Sequence, residues 1–234
     1  MKLQVINPNT TAEMTTAIER AALRTAGDRY GIFCTSPPSG PKAIEAACDT
    51  IAAAPMILDE LRHGIAAGCA GHVIACFDDP AVAACRELAS GPVLGIAEGA
   101  MMAASVLGAR YGVITTATAG IPIIEDMAER YGLASKLRSV RSCNMAVLDL
   151  GKSPAADQRV LVAAQQALAD GAEVLVLGCA GMADLSDWLQ RETGVPVVEG
   201  VAATVGIVSG LVAARLGTSK AGVFAYPEHL EAVQ

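Results

Sequence analysis

The chain has 234 residues, 53% of them hydrophobic but only 3% aromatic, and a formal net charge of −7. That length gives one large domain or two intimately joined small ones with a substantial core, built mainly from Ala, Val, Ile and Leu, which suits an α/β protein better than a β-sandwich. Lys and Arg stand singly, with no basic stripe and no stacking aromatics, so nucleic acid is excluded as the expected partner.

In chain order, short apolar runs predict strands at Leu3–Ile6, Tyr30–Thr35, His72–Cys76, Val93–Ile96, Gly112–Thr115, Ser139–Ser142, Glu173–Leu177, Val195–Val198 and Gly222–Ala225. Helical patterns lie between them, near 10–26, 42–67, 80–89, 98–109, 119–131, 157–170, 183–192 and 201–215. This alternation predicts parallel sheets assembled from βαβ units. Mean hydropathy is positive at +0.43, yet the uncharged run from Gly200 to Ala214 is shorter than the ~20 residues a spanning helix needs. A buried core helix is expected there, and no membrane contact. The opening "MKLQVINPNTT" has no apolar segment of signal-peptide type, which predicts a cytoplasmic protein.

The seven cysteines are Cys34, Cys48, Cys69, Cys76, Cys85, Cys143 and Cys179. Their number is odd, no C-x-x-C occurs, and His63, His72 and His229 stand apart from any ligand-like spacing. Neither structural zinc nor a disulfide framework is supported, so free thiols are expected. "GKS" at 151–153 is not a phosphate-binding loop, because Ala146 stands where that motif needs glycine.

An internal repeat organises the chain. "PVLGIAEGAMMAASVLGAR" (92–110) resembles "PVVEGVAATVGIVSGLVAAR" (196–215), and a Gly-led strand follows each. Cys76 and Cys179 stand at nearly the same distance ahead of these segments. "LQVINPNT" and "YGVITTAT" both run from a strand into an Asn/Thr-rich turn. The expected organisation is two pseudo-symmetric α/β lobes, residues 1–109 and 110–215, with the tail 216–234 crossing back to the first as a strand. Equivalent strand ends would then converge on one cleft, where open α/β sheets bind ligands.

Most cysteines in such a chain pack as small hydrophobes, and Cys34, Cys48, Cys69, Cys85 and Cys143 are assigned that role. Cys76 and Cys179 differ: each ends an apolar run, each precedes a turn into a helix, and they match under the repeat. Two opposed thiols can invert a stereocentre without a cofactor, one removing a proton from a carbon acid while the other returns one to the opposite face. A helix N-terminus would favour the thiolate, and backbone N–H groups around Gly178–Gly181 suit a developing enolate. Asp78 and Asp79 oppose ionisation of Cys76, unless Asp79 caps the helix that follows. Asn7, Asn9, Thr10, Thr115 and Thr116 offer neutral contacts, which suits an amide-rich ligand. Glu199 is either a polar contact at the second wall or a solvated loop carboxylate.

The ordered set "NPNT" (7–10), "GPKAIE" (40–45), "CFDDP" (76–80), "VITT" (113–116), "VLGCAGM" (176–182) and "PVVEGVAA" (196–203) resembles the aspartate/glutamate racemase superfamily, and within it the hydantoin and allantoin racemase branch. The resemblance implies a two-base racemase with no cofactor and no metal, acting on a small molecule, with Cys76 and Cys179 as opposed acid and base. It also implies substrate contacts at Asn7, Phe77, Thr115, Thr116, Gly178 and Ala180, and a homo-oligomer. The family pattern leads one to expect Gly in place of Asp78, a small residue in place of Lys42 and Asp in place of Glu199. Alternatives within the fold are an Asp/Glu racemase or another superfamily isomerase or decarboxylase. A small-metabolite binding protein is the non-enzyme alternative.

Overall fold

The computed structural model describes residues 1–228; His229 lies outside the described residues. The first half of the chain contains β1 (Lys2–Ile6), α1 (Ala12–Ala26), β2 (Gly31–Thr35), α2 (Ala47–Ala66), β3 (Cys69–Ile74), α3 (Val82–Leu88), β4 (Val93–Gly95) and α4 (Ile96–Leu107). The second repeats the series as β5 (Tyr111–Thr115), α5 (Gly120–Arg130), β6 (Leu137–Ser142), α6 (Pro154–Ala169), β7 (Val174–Leu177), α7 (Ser186–Thr193), β8 (Val197–Glu199) and α8 (Gly200–Ala213). Each half forms a four-stranded, all-parallel sheet, ordered β2-β1-β3-β4 and β6-β5-β7-β8. The two orders are the same under the repeat, as the sequence predicts. No helix among the described residues is long and apolar enough to cross a membrane.

Period-two alternation in the strands sends side chains to two different cores. Leu3, Val5 and Val73 from the first sheet, and Tyr111, Val113, Val174 and Val176 from the second, enter one central cluster. Ile6 and Ile74 point the other way onto α2 and α3. Ile114, Leu175 and Leu177 likewise point outward onto α6 and α7. The central cluster is filled by α1, α4, α5 and α8, so both sheets share one layer of helices. Within that layer the helices are interleaved. α8 packs on β3 and β4 of the first sheet, while α4 packs on β5 and β7 of the second.

The α4–α8 pair is in close contact because small residues line its seam. A Cβ at Gly99 would lie 2.1 Å from Thr204 Oγ1 and 3.1 Å from Thr204 Cα, and one at Gly200 would lie 3.1 Å from Ile96 Cβ.

The tail departs from expectation. Gly222–Ala225 forms turns, not a strand. Residues beyond α8 nevertheless lie against the first half: Thr218 donates to the carbonyls of Ser90 and Gly91, and Lys220 to those of Arg86 and Glu87. Lys220 spends its ammonium on those carbonyls and on that of Phe224, which holds the segment as a loop. Elsewhere the differences are local. Ser153 of "GKS" is the N-cap of α6, accepting from Ala156 N–H at 3.2 Å, and β3 ends at Ile74, so Cys76 stands beyond the strand.

The outer face of the first sheet holds a buried polar cluster. Gln4 donates through Nε2 to the Glu60 carbonyl at 2.5 Å, and its Oε1 faces His72 Nδ1 at 2.8 Å. Because the Gln4 oxygen is an acceptor, Nδ1 carries the proton of a neutral ring. Burial pushes the His72 imidazole down to about 4.

Two measurements test this packing. Gly99→Ala forces apart helices that both sheets rest on, and should cost about 1–3 kcal/mol of unfolding free energy in urea titration. The depressed His72 basicity means that the unfolded chain takes up a proton below its ordinary 6.5 while the folded chain does not. Stability from this group is therefore full above that pH and falls as pH drops toward 4, by up to about 3 kcal/mol. Urea midpoints should show that slope, and His72→Gln should flatten it.

Candidate active site

In each sheet the chain leaves the first strand in one direction and the third in the other, so a crevice opens at the C-terminal ends of β1 and β3, and of β5 and β7. The two crevices face a single cavity. Its wall includes Asn9, Cys76, Phe77 and Asp78 from the first half, and Thr115, Thr116, Gly178, Cys179 and Ala180 from the second. The two repeat-related cysteines are thus brought together, one from each half. Met14, Ile44, Ile123, Ile124 and Val147 supply the apolar wall.

The cysteine turns use the same local device. Cys179 is the N-cap of a short 3-10 helix, Ala180–Leu185, and its Sγ accepts from Gly181 N–H at 3.4 Å. The backbone N–H of Asp78 supports the Cys76 sulfur in the same way. In both halves, then, the amide two residues on favours the thiolate. Burial works against it and is the larger effect. It pushes Cys76 well above the ordinary thiol range, with further contributions from Asp78, Cys179 and Asp79, and pushes Cys179 up to about 12, with Cys143, Asp78 and Glu45 adding to it. Cys179 is the easier of the two to ionise, since no acidic side chain shares its turn. The Cys179 charge also raises Cys76, so the two sulfurs do not ionise together.

The expected help from a helix N-terminus at Cys76 is not present. α3 begins only at Val82, after a left-handed Ala81 with φ 58°. Asp79 does not cap it. Its carboxylate instead reaches Ala97 and Glu98 at the amino end of α4.

Among the other predicted contacts, Phe77, Thr115, Thr116, Gly178 and Ala180 line the cavity and Asn7 does not. Asn7 is fully buried behind Asn9, donating to Asn9 Oδ1 at 3.1 Å and to Thr15 Oγ1 at 2.9 Å. It orients the Asn9 side chain, which takes the place at the wall. Glu199 is neither a ligand contact nor a solvated carboxylate. It is buried and caps α8, accepting from Val201 and Ala202 N–H at 2.7 Å each. Sequence reasoning missed Glu45 as a site residue, although "GPKAIE" carries it. Glu45 lines the cavity and accepts from Val147 N–H at 2.6 Å, tying loops of the two halves across its mouth. Among the described residues Glu45 and Asp78 are the only charged side chains in the wall, and no Lys, Arg or His of that set joins them.

Two like parallel sheets sharing a helix layer, with a thiol from each at one cleft, define a pseudo-symmetric, two-lobed α/β cleft protein. The chain belongs to the Asp/Glu/Hydantoin racemase family, whose model matches residues 3–208. It is 42% identical to a hydantoin racemase of Rhizobium meliloti, over 97% of this chain and 95% of that one. Identity to a hydantoin racemase of Pseudomonas sp. (strain NS671) is 39%, over 100% of this chain and 94% of the relative. The allantoin racemase from Klebsiella pneumoniae superposes with a TM-score of 0.95 at 41% identity, covering 98% of this chain and 95% of that one.

The electrostatics of the two turns give an order of reactivity. With iodoacetamide at mildly alkaline pH, mass-spectrometric mapping should find exposed Cys48 alkylated first, Cys179 more slowly and Cys76 last. Asp78→Asn removes a negative charge that raises both cavity thiols, and should speed alkylation of both.

Proposed function

We propose that the protein racemises 5-substituted hydantoins or allantoin-like ureides by moving a proton between Cys76 and Cys179, without a cofactor. The observation that carries this reading is the pair of thiols, one from each half, in the wall of one cavity to which the described residues bring no cationic side chain. A ring carbon between a carbonyl and an amide nitrogen is acidic enough for a thiolate to deprotonate, whereas an ordinary amino-acid α-carbon is a far weaker acid. An aspartate or glutamate carboxylate would meet Glu45 and Asp78 and no positive partner, so the amino-acid alternative is disfavoured. The similarity to hydantoin and allantoin racemases supports the same choice.

In this mechanism one cysteine, as thiolate, takes the C5 proton, and the charge moves into the adjacent carbonyl to give an enolate. The backbone N–H groups of Cys179 and Ala180 and the Thr115–Thr116 hydroxyls are neutral donors available to that oxygen. The other cysteine, as thiol, delivers its proton to the opposite face. The next turnover starts with the roles exchanged, so each enantiomer is deprotonated by a different sulfur. Asn9, held by Asn7, and Phe77 shape the ring's place. Seven free cysteines suit the reducing cytoplasm proposed as its location.

Cys76→Ser and Cys179→Ser should each lower racemisation in both directions by at least about a hundredfold, measured by polarimetry on pure enantiomers. Aliphatic and aromatic hydantoins and allantoin should racemise, and aspartate and glutamate should not. A single-cysteine variant that racemises both enantiomers at the wild-type rate would overturn the two-thiol mechanism.

A further inference from the structure

Asp79 lies beside Cys76, is buried, and has no place in the cavity wall. Its Oδ1 accepts from Ala97 N–H at 2.9 Å, and its Oδ2 from Glu98 N–H at 2.9 Å and from the Tyr131 hydroxyl at 2.7 Å. The first two donors are at the amino end of α4, where unpaired N–H groups and the helix dipole favour a carboxylate. The third belongs to the residue that ends α5, in the second half of the chain.

Local features of the sequence make room for this contact. Asp79 has φ 46° and Ala81 φ 58°, so the chain turns through the left-handed region on both sides of Pro80. Position 95 is glycine, and a Cβ there would lie 2.0 Å from Asp79 Oδ1. Under the repeat, Gly95 corresponds to Glu199, which caps α8 with its own side chain. Both central helices therefore have a buried carboxylate at the amino end. Only in the first half does that carboxylate come from the turn that carries the thiol.

We infer that Asp79 is the positioning residue for Cys76: it ties the thiol's turn to α4 and, through Tyr131, to the half of the chain that holds Cys179. α4 is wedged between both sheets, so the turn is referenced to the helix layer that both share. Tyr131 then fixes it against the opposite half. The separation and facing of the two sulfurs depend on this three-donor carboxylate as well as on the backbone. The inference rests on the two-thiol reading above.

The consequence is a selective defect. When Cys76 is misplaced, Cys179 can still take the C5 proton of its own enantiomer, exchange it with solvent and return a deuteron to the same face. Inversion fails because the deuteron cannot be delivered from the Cys76 side. Each pure enantiomer of a racemised hydantoin would be incubated with enzyme in deuterium oxide. C5–H loss would be followed by NMR and inversion by circular dichroism, after subtraction of the enzyme-free rates. In Tyr131→Phe and Asp79→Asn, inversion should fall about ten- to hundredfold, with KM within about twofold of wild type. For one enantiomer alone the ratio of exchange to inversion should rise at least about threefold, a signature that general loss of structure does not produce.

Equal losses of exchange and inversion for both enantiomers would overturn the inference, as would wild-type behaviour of both variants. Tyr131→Phe removes a single hydroxyl, and so carries the test alone if Asp79→Asn does not fold. A wild-type enzyme that neither exchanges nor inverts any hydantoin overturns the racemase reading itself, an outcome visible before any substitution is made.

Discussion

The site depends on the burial of one helix layer between two sheets. A parallel sheet needs cover on both faces. Here α1, α4, α5 and α8 cover the inner face of both sheets at once. Because the helices are interleaved, with α8 on the first sheet and α4 on the second, the sheets cannot slide or open independently without exposing the largest core of the protein. That constraint brings the two sets of strand ends into register at one cleft. The close approach at Gly99, Thr204, Gly200 and Ile96 is its tightest point.

Much of this was legible in the sequence because it is periodic. Runs such as "LQVI" and "VLVL" declare strands, and the repeated segments after Pro92 and Pro196 imply a second copy of the sheet. A cysteine at the same place in each copy then implies a shared cleft. What was not legible involves side chains acting across space. Asp79 was read against its neighbours in sequence, as the cap of the next helix, and it caps α4 instead. Glu199 was open to two readings, a cleft contact or a loop acid, but a residue that ends a strand and starts a helix is also the residue whose side chain can fold back onto that helix. Asn7 and Asn9 are two residues apart and both polar; only packing around Thr15 decides which one reaches the wall. The tail's "AGVFAY" has the composition of a strand, yet Lys220 finds its acceptors in the loop conformation. The contrast between Gly95 and Glu199 in the repeat was the one available clue that a carboxylate from elsewhere fills the first half's cap.

Electrostatically the cleft is built to keep its thiols neutral until they are needed. Both cysteines are half-buried in the cleft wall, both have one amide donor two residues on, and Asp78, Asp79 and Glu45 add negative charge nearby. The amino ends of the central helices α4 and α8, which could favour a thiolate, are occupied here by Asp79 and Glu199. Positive potential is thus spent on structure, and the thiols remain weak acids. For proton transfer between carbon and sulfur this is a sensible match, since a strongly acidic thiol would be a poor base. The two halves are alike in backbone but not in charge. Asp78 and Asp79 sit on one cysteine turn only, so in the proposed racemisation the two directions of proton transfer meet different surroundings although the overall equilibrium between enantiomers is symmetric.

The interleaving of α4 and α8 also governs how the chain can be made. Part of the inner face of β3 and β4 is covered by α8, the last helix before the tail. As the polypeptide leaves the ribosome, the first sheet can pair its strands early, but its cover stays incomplete until α8 has emerged. The first half therefore cannot finish folding as a separate unit during synthesis, although it has the strand order of one. Its exposed Val73 and Leu94 face must wait for a helix encoded more than a hundred residues later, which places the folding of both halves, and the completion of the cleft, in one late cooperative step.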